Sequence, residues 1–265
     1  AQDGHIARHF LHKVGHRDGR FRHNPQTLIH SLLTGKVQCH YGEIMQRIAF
    51  YDMDKTITRQ ATFGYFLAYA VPRYRPWRIV LAPLLMFTVL GYALRVIDRG
   101  RLKEINLGLM LGRRIDAAAL TRLSARFAER TLAKNIFGKA LDRIDADRAE
   151  KYRIVIASAS YAFYVLQVAR LVGADAIATR ATAAGESISP RIDGENCYGA
   201  AKLAMIRDWM AAQGIDREAA HIRFYSDHAS DAPCLIWADE PFAANPHGVL
   251  RKLAGERGWA VLDWD

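Results

Sequence analysis

At 265 residues, with 51% hydrophobic and 24% charged side chains, the chain can bury one large core or a core plus a smaller inserted domain, which excludes a disordered polymer. Cys39, Cys197 and Cys234 are too few and too scattered for a disulfide framework, and no C-x-x-C pair suggests zinc; a reducing cytosol fits. The formal charge of +10 favours an anionic partner without choosing among nucleic acid, lipid head groups and phosphorylated substrates.

Residues 1–44 hold seven of the ten histidines and show neither sustained apolar periodicity nor a signal-peptide core. They are expected to be an extension outside the fold, with Met45 standing just before the first strand. A metal tract at His5, His9, His12 and His16 is disfavoured, since no cysteine or acid completes a ligand set. An apolar run, 48–51, then ends in Asp52-Met-Asp54-Lys-Thr56 and reads as a buried strand. Side chains alternate along a strand, so Asp52 and Asp54 project to one side and face one crevice past its carboxyl end. Two carboxylates that close repel unless a hard cation or a hydrogen-bond donor offsets them, which points to Mg²⁺. The same D-x-D-x-T string also occurs in exposed turns; the apolar run before it favours the strand.

From 61 to 150 the sequence turns helical, as an insertion. Strand character returns at 152–157, followed by Ser158-Ala-Ser160 and a helix over 161–172 closed by Gly173, a βα unit. A short strand is expected at 176–179 and a turn-rich hairpin over 185–198. Lys202 falls in the first turn of an amphipathic helix over 200–212. A further strand, 221–225, runs into Ser226-Asp227-His-Ala-Ser-Asp231 and another helix, and 259–262 reads as a last strand. This alternation predicts an α/β fold: a three-layer, Rossmann-like, doubly wound parallel sheet with an inserted helical cap. The catalytic core is assigned to 45–60 and 151–265, the cap to 61–150.

In such a sheet, polar residues that follow successive strands collect along one edge, where ligands bind. Here these are Asp52, Asp54, Ser158, Asp227 and Asp231, with Lys202 supplied from a helix start. Singly each has a duller explanation: Ser158 as a helix N-cap, Asp227 and Asp231 as a solvated turn, Lys202 as a surface lysine. Their joint order carries the weight. Asp52-Met-Asp54-Lys-Thr56, the strand ending at Ser158, Cys197-Tyr-Gly-Ala-Ala-Lys202 and Ser226-Asp227-His-Ala-Ser-Asp231 resemble the four motifs of the haloacid dehalogenase superfamily. The closer likeness is to its subclass IB, phosphoserine-phosphatase-like, with a helical cap between the first two motifs. The resemblance covers 46–265, and the tail from Asn245-Pro246 to Gly258-Trp259 is also similar.

That resemblance implies a Mg²⁺-dependent phosphomonoester phosphatase. Asp52 is then the nucleophile that forms an aspartyl-phosphate, and Asp54 the acid that protonates the leaving alkoxide and afterwards deprotonates water. It implies metal binding by Asp52, Asp54 through its backbone carbonyl, and Asp227, with Asp231 supporting that site or holding Lys202. Ser158, Lys202 and Thr56 are implied to contact the phosphate. Dehalogenases of the superfamily lack the second aspartate, so Asp54 argues for phosphate chemistry. Lys55, His228 and Ser230 depart from the small and amide residues common at their places, which touches substrate contacts more than the chemistry.

Substrate choice is assigned to the cap, whose most unusual stretch is 79–94, sixteen residues without a charge. Arg73, Tyr74, Arg75, Trp77 and Arg78 flank one end and Arg95, Arg99, Arg101 and Lys103 the other, and with Asp98 the one acid the local net charge over 72–103 is +6. An apolar helix with such flanks suits an anionic lipid surface; the alternative is a buried cap helix. A full crossing needs roughly 20 apolar residues, and it would part Asp52 from Ser158, Lys202 and Asp227. The stretch is therefore expected to dip in and return, as a hairpin with 62–71, or to lie in the interface. Phe63-Gly-Tyr-Phe-Leu67, the 76–94 run and Gly108-Leu-Met-Leu-Gly112 look like the cap of the bacterial phosphatidylglycerophosphatase C family. Ala61 stands where phosphoserine phosphatases carry a glutamate for the substrate amino group.

The expected function is a Mg²⁺-dependent phosphatase for a membrane lipid phosphate such as phosphatidylglycerophosphate. The alternatives are a soluble phosphatase for phosphoserine or another small metabolite, and a catalytically silent lipid- or partner-binding module, which retention of the site residues opposes. The expected partners are the phosphorylated substrate and an anionic membrane surface, not specific nucleic acid, for which no motif accompanies the charge. The expected location is the cytoplasm, at the cytoplasmic face of the inner membrane; the oligomeric state is left open.

Overall fold

The structure, a computed structural model, describes residues 45–264; the readings of residues 1–44 lie outside the described residues. β1 (Gln46–Tyr51) stands inside an eight-stranded sheet, between β3 (Arg153–Tyr161) and β6 (Ala220–Ser226). β7 (Glu240–Ala244) and β8 (Ala260–Leu262) extend it beyond β6; β4 (Asp175–Ala184), β5 (Ser187–Asp193) and β2 (Ile115–Asp116) extend it beyond β3. Every pairing from β4 to β8 is parallel, while β5 and β2 add antiparallel at the edge. This is the doubly wound α/β sheet expected from the alternation of strands and helices.

The alternation of β1 builds both layers. Ile48 and Phe50 enter one core with Ile206 and Met210 of α7 (Ala200–Ala212), Cys234 and Leu235 of α8 (Ala232–Trp237) and Leu250 of α9 (Gly248–Arg257). Ala49 and Tyr51 enter the other, with α1 (Thr62–Tyr74), α4 (Ala117–Lys134), α5 (Gly138–Ala149) and α6 (Ala162–Leu171). Burying one such large apolar side chain stabilises the fold by roughly 1.5–3 kcal/mol. α5, within the stretch read as insertion, lies against the sheet: its Asp147 accepts hydrogen bonds from Tyr51 Oη at 2.6 Å and Arg223 Nη1 at 2.7 Å.

β3 runs four residues past the predicted strand, with a register irregularity between Ser158 and Tyr161 that turns the S-x-S segment toward the sheet edge. β7 was not legible, because Pro241 argues against a strand. It is tolerated because pairing with β8 begins only at Phe242, so the missing N–H faces no partner on that side. β2, two residues long, has no periodicity to read.

The uncharged stretch is a helical rod, Pro76–Leu84 in 3₁₀ form followed by α2 (Leu85–Ala93), and no residue of it is buried. Pro83 has no N–H to give an α-helical bond, which favours the tighter winding. One side rests on α3 (Arg99–Leu111): Arg78 Nη1 donates to the carbonyl oxygens of Gly108 and Leu109, and Thr88 Oγ1 to Asn106 Oδ1 at 2.7 Å. The other sides expose Val80, Met86, Phe87 and Leu90, among others. Two expectations are corrected here. Segment 62–71 does not pair with the rod as a membrane hairpin, because Phe66, Leu67, Ala70 and Val71 are consumed by the core. Lys103 does not belong to the basic flank: it is buried, with its ammonium on the carbonyl of Ala159 and on Asn196 Oδ1.

Candidate active site

Three strand ends build the site. Asp52 follows β1 directly, its backbone N–H donating to Tyr225 O of β6 at 2.9 Å, and the register that pairs Tyr51 with Ile156 places Ser158 on the adjoining strand end. Asp227 and Asp231 come from the loop after β6, and Lys202 from the first turn of α7, beyond Gly199 at φ +59°. Lys202, 2% exposed, bridges Asp52 Oδ1 at 2.7 Å and Asp231 Oδ2 at 2.6 Å, and Ser226 Oγ donates to the same Asp231 oxygen. The chain segments expected to converge do so.

Thr56 is placed differently from its expected phosphate contact. Fully buried, its hydroxyl accepts from Asp227 N at 2.9 Å and lies 3.4 Å from both Asp52 Oδ2 and Asp227 Oδ1, so it ties the two acidic loops together from beneath. The Asp54 carboxylate turns away from this cluster: Thr62 N and Oγ1 donate to its Oδ1 at 2.8 and 2.7 Å, and Ser160 Oγ to its Oδ2 at 2.8 Å. Asp54 is therefore no side-chain ligand for a metal at the cluster, only a candidate through its backbone. Ser158 Oγ accepts from Ser160 N, which leaves its proton free to donate. Thr62 and Ser160 were not picked from the sequence, although a second serine in S-x-S and a threonine at a helix start were the signals present.

Electrostatically the cluster has an excess of acid. Burial pushes Asp52 up to about 7 against the pull of Lys202, with Asp231 and Asp227 adding to the rise. Burial and then Asp231 push Asp227 up to about 6, with Lys202 and Lys55 opposing. Burial disfavours the Lys202 charge, but Asp231 and Asp52 outweigh it and hold the ammonium well above the ordinary lysine range. Three carboxylates against one ammonium leave two negative charges, the amount a divalent ion neutralises, and Asp231 Oδ1 is a buried oxygen without a hydrogen-bond partner among the described residues. Among the described residues no three His, Cys, Asp or Glu side chains converge tightly enough to hold an ion alone. That donor set fits Mg²⁺, which takes one or two carboxylates and keeps several waters.

The cluster floors a cleft of about 620 Å³, whose mouth carries Lys55, Arg99, Tyr198, His228 and His247. Lys55 holds φ +64°, a conformation that favours glycine, with its Nζ 3.5 Å from His247 Nε2. Burial, and next the charge of Arg99, lower Lys103 to about 8 and also depress His228.

Residues 49–235 match the family model of the haloacid dehalogenase-like hydrolases. A Streptomyces azureus protein described as an inhibition of morphological differentiation protein is 33% identical over 49% of this chain, which spans 46% of that relative's length. Two Mycobacterium tuberculosis proteins, a probable phosphatase and a phosphoserine phosphatase, are 29% and 27% identical over 82% of this chain and 75% and 70% of their own. A Bordetella pertussis structure of unknown function shares the fold at a TM-score of 0.74 and 24% identity, covering 83% of this chain and all of that one. A phosphoserine phosphatase solved as a phospho-aspartyl intermediate analogue shares it at 0.55 and 14%, covering 83% and 94%. With its motifs assembled at one sheet edge, the chain belongs to the haloacid dehalogenase-like hydrolases, as a phosphoric monoester hydrolase of the phosphoserine-phosphatase-like kind.

Proposed function

We propose that this hydrolase is a Mg²⁺-dependent phosphatase that works through an aspartyl-phosphate on Asp52, and that its substrate is a phosphomonoester carried at a membrane surface, with phosphatidylglycerophosphate a fitting example. The observation that carries the chemistry is the pair of differently held aspartates. Lys202 takes Oδ1 of Asp52 and leaves Oδ2 for in-line attack on phosphorus. Asp54, held by Thr62 and Ser160 outside the cluster, protonates the departing alkoxide and then accepts a proton from the water that releases phosphate. Lys202 and the Ser158 hydroxyl offset the phosphoryl charge. Asp52, Asp227 and the Asp54 carbonyl would hold Mg²⁺, which supplies further positive charge against the phosphoryl oxygens.

The membrane part rests on the rod Pro76–Ala93, without a charge from Ile79 onward and with no residue buried, flanked by arginines at both ends. Because Asp52 and Lys202, from either side of the rod in sequence, meet at 2.7 Å, a single crossing would part them, which supports reading the rod as an element of the interface plane. The phosphoserine-phosphatase relative favours a second reading, a soluble enzyme for phosphoserine or another small metabolite. Ala61, lining the cleft without a carboxylate for an amino group, speaks against phosphoserine itself. Phosphate release with Mg²⁺ from a panel of lipid phosphates in mixed micelles and of soluble phosphomonoesters tests both. Turnover of soluble substrates alone rejects the lipid reading.

A further inference from the structure

The cleft segregates its charge. Asp52, Asp227 and Asp231 are engaged at the floor and Asp54 is held beside it by Thr62 and Ser160, whereas the mouth offers Lys55, Arg99, His228 and His247, the last with its Nε2 3.5 Å from Asp227 Oδ2. A second cavity of about 570 Å³ adjoins it and shares Arg99 and Tyr198 as common walls. The Arg99 guanidinium lies over the Tyr198 ring at 4.6 Å and enters no ion pair among the described residues. The second cavity leads to Tyr92 and Ile97, at the end of the apolar rod; of its acids, Asp98 is spent capping α3 through Arg101 N, and Glu195 is exposed. Lys55 occupies a left-handed backbone position that favours glycine, and still places its cation in the cleft.

We propose that Arg99, assisted by Lys55, binds a second phosphate-type anion on the alcohol part of the substrate, so that the enzyme selects phosphomonoesters whose leaving group is itself anionic. The inference rests on the phosphatase reading above and adds a specificity residue to it. A guanidinium stacked on an aromatic ring is pre-organised for bidentate contact with such an anion. The adjoining cavity takes what lies beyond the anion: nothing for a free bisphosphate, the glycerol backbone for a lipid phosphodiester.

The test is steady-state kinetics with Mg²⁺ on glycerol bisphosphate, glycerol monophosphate and micellar phosphatidylglycerophosphate, for wild type, Arg99→Ala and Arg99→Lys. Arg99 is exposed, so both variants are expected to fold. Wild type is expected to favour at least one substrate with a second phosphate group over the monophosphate by roughly tenfold or more in kcat/KM. Arg99→Ala is expected to raise KM for that substrate by roughly ten- to a hundredfold with a smaller change in kcat, and Arg99→Lys to recover part of the loss. Preference for the bisphosphate identifies a free second phosphate; preference confined to the micellar lipid identifies a phosphodiester. Hydrolysis of the monophosphate with no preference, or a preference untouched by Arg99→Ala, overturns this inference alone. Hydrolysis of none of the three, with turnover of another phosphomonoester from the panel above, overturns this inference alone; no turnover of any phosphomonoester overturns the phosphatase reading and the inference with it.

Discussion

At the residue scale, the two aspartates near the cleft floor differ in what holds them, and their substitutions are expected to differ accordingly. Asp52→Asn removes the proposed nucleophile, and phosphate release is expected to fall by roughly 10³-fold or more. Asp54→Asn removes a proton donor, a loss of roughly 10²–10⁴-fold on alkyl phosphates, smaller on an aryl phosphate whose leaving group needs no proton; equal losses on both would remove Asp54 from that role. Lys202→Met leaves Asp52 and Asp231 buried without their shared cation. Breaking such a pair costs about 3–5 kcal/mol, readable as a fall in denaturation midpoint. The acid excess also sets a pH dependence. Asp52 and Asp227 have folded values raised to about 7 and about 6, so the metal-free fold is favoured where they are protonated and loses that contribution as pH rises from 4 through 7. Mg²⁺ competes with those protons, so its stabilisation is expected to be small at pH 5 and large at pH 8. Melting temperatures with Mg²⁺ and with chelator at the two pH values check this, and a shift independent of pH contradicts it.

At the element scale, the sequence was most informative where a segment is buried on both faces. β1 and β3 hold continuous apolar runs with polar ends and β6 is interrupted by His221 and Arg223, so the strands and the site residues following them were legible. What escaped was set by tertiary contact: β7 despite Pro241, the orientation of Asp54 toward Thr62 and Ser160, and the inward turn of Thr56 and Lys103. None of these leaves a periodic trace. Lys103 joins α3 to the Ala159 peptide beside Ser158, and burial with Arg99 lowers it to about 8. Its charged form is therefore penalised below that pH, and the penalty fades as pH rises toward the ordinary 10.5. The stability difference between wild type and Lys103→Met is expected to move in favour of wild type from pH 7 to pH 10; a flat difference would show that folding leaves Lys103 at its ordinary lysine value. The rod gives a separate expectation. Val80 and Phe87 are 75% and 70% exposed, so Val80→Glu with Phe87→Glu should leave the melting temperature nearly unchanged while weakening co-sedimentation with anionic vesicles.

At the scale of the whole molecule, the proposed membrane docking would draw a salt-sensitive part from the net charge of +10 and the arginines around the rod and a salt-insensitive part from the rod's apolar faces. Membrane-bound protein is thus expected to resist a salt wash and to be released by the double glutamate variant. The central place of β1 has a further result. The loop leaving it carries the entire helical insertion, yet Ser158, Lys202, Asp227 and Asp231 arrive from other loops of the same sheet. The site residues and the part of the insertion that reaches the cleft therefore enter it by different loops, although α1, α4 and α5 share a core with the sheet. Exchanging only the cleft-facing part of the insertion, the rod and α3, for that of a relative should redirect which ester is cleaved, on one condition: Thr62 must stay, since it belongs to the insertion by sequence and holds Asp54.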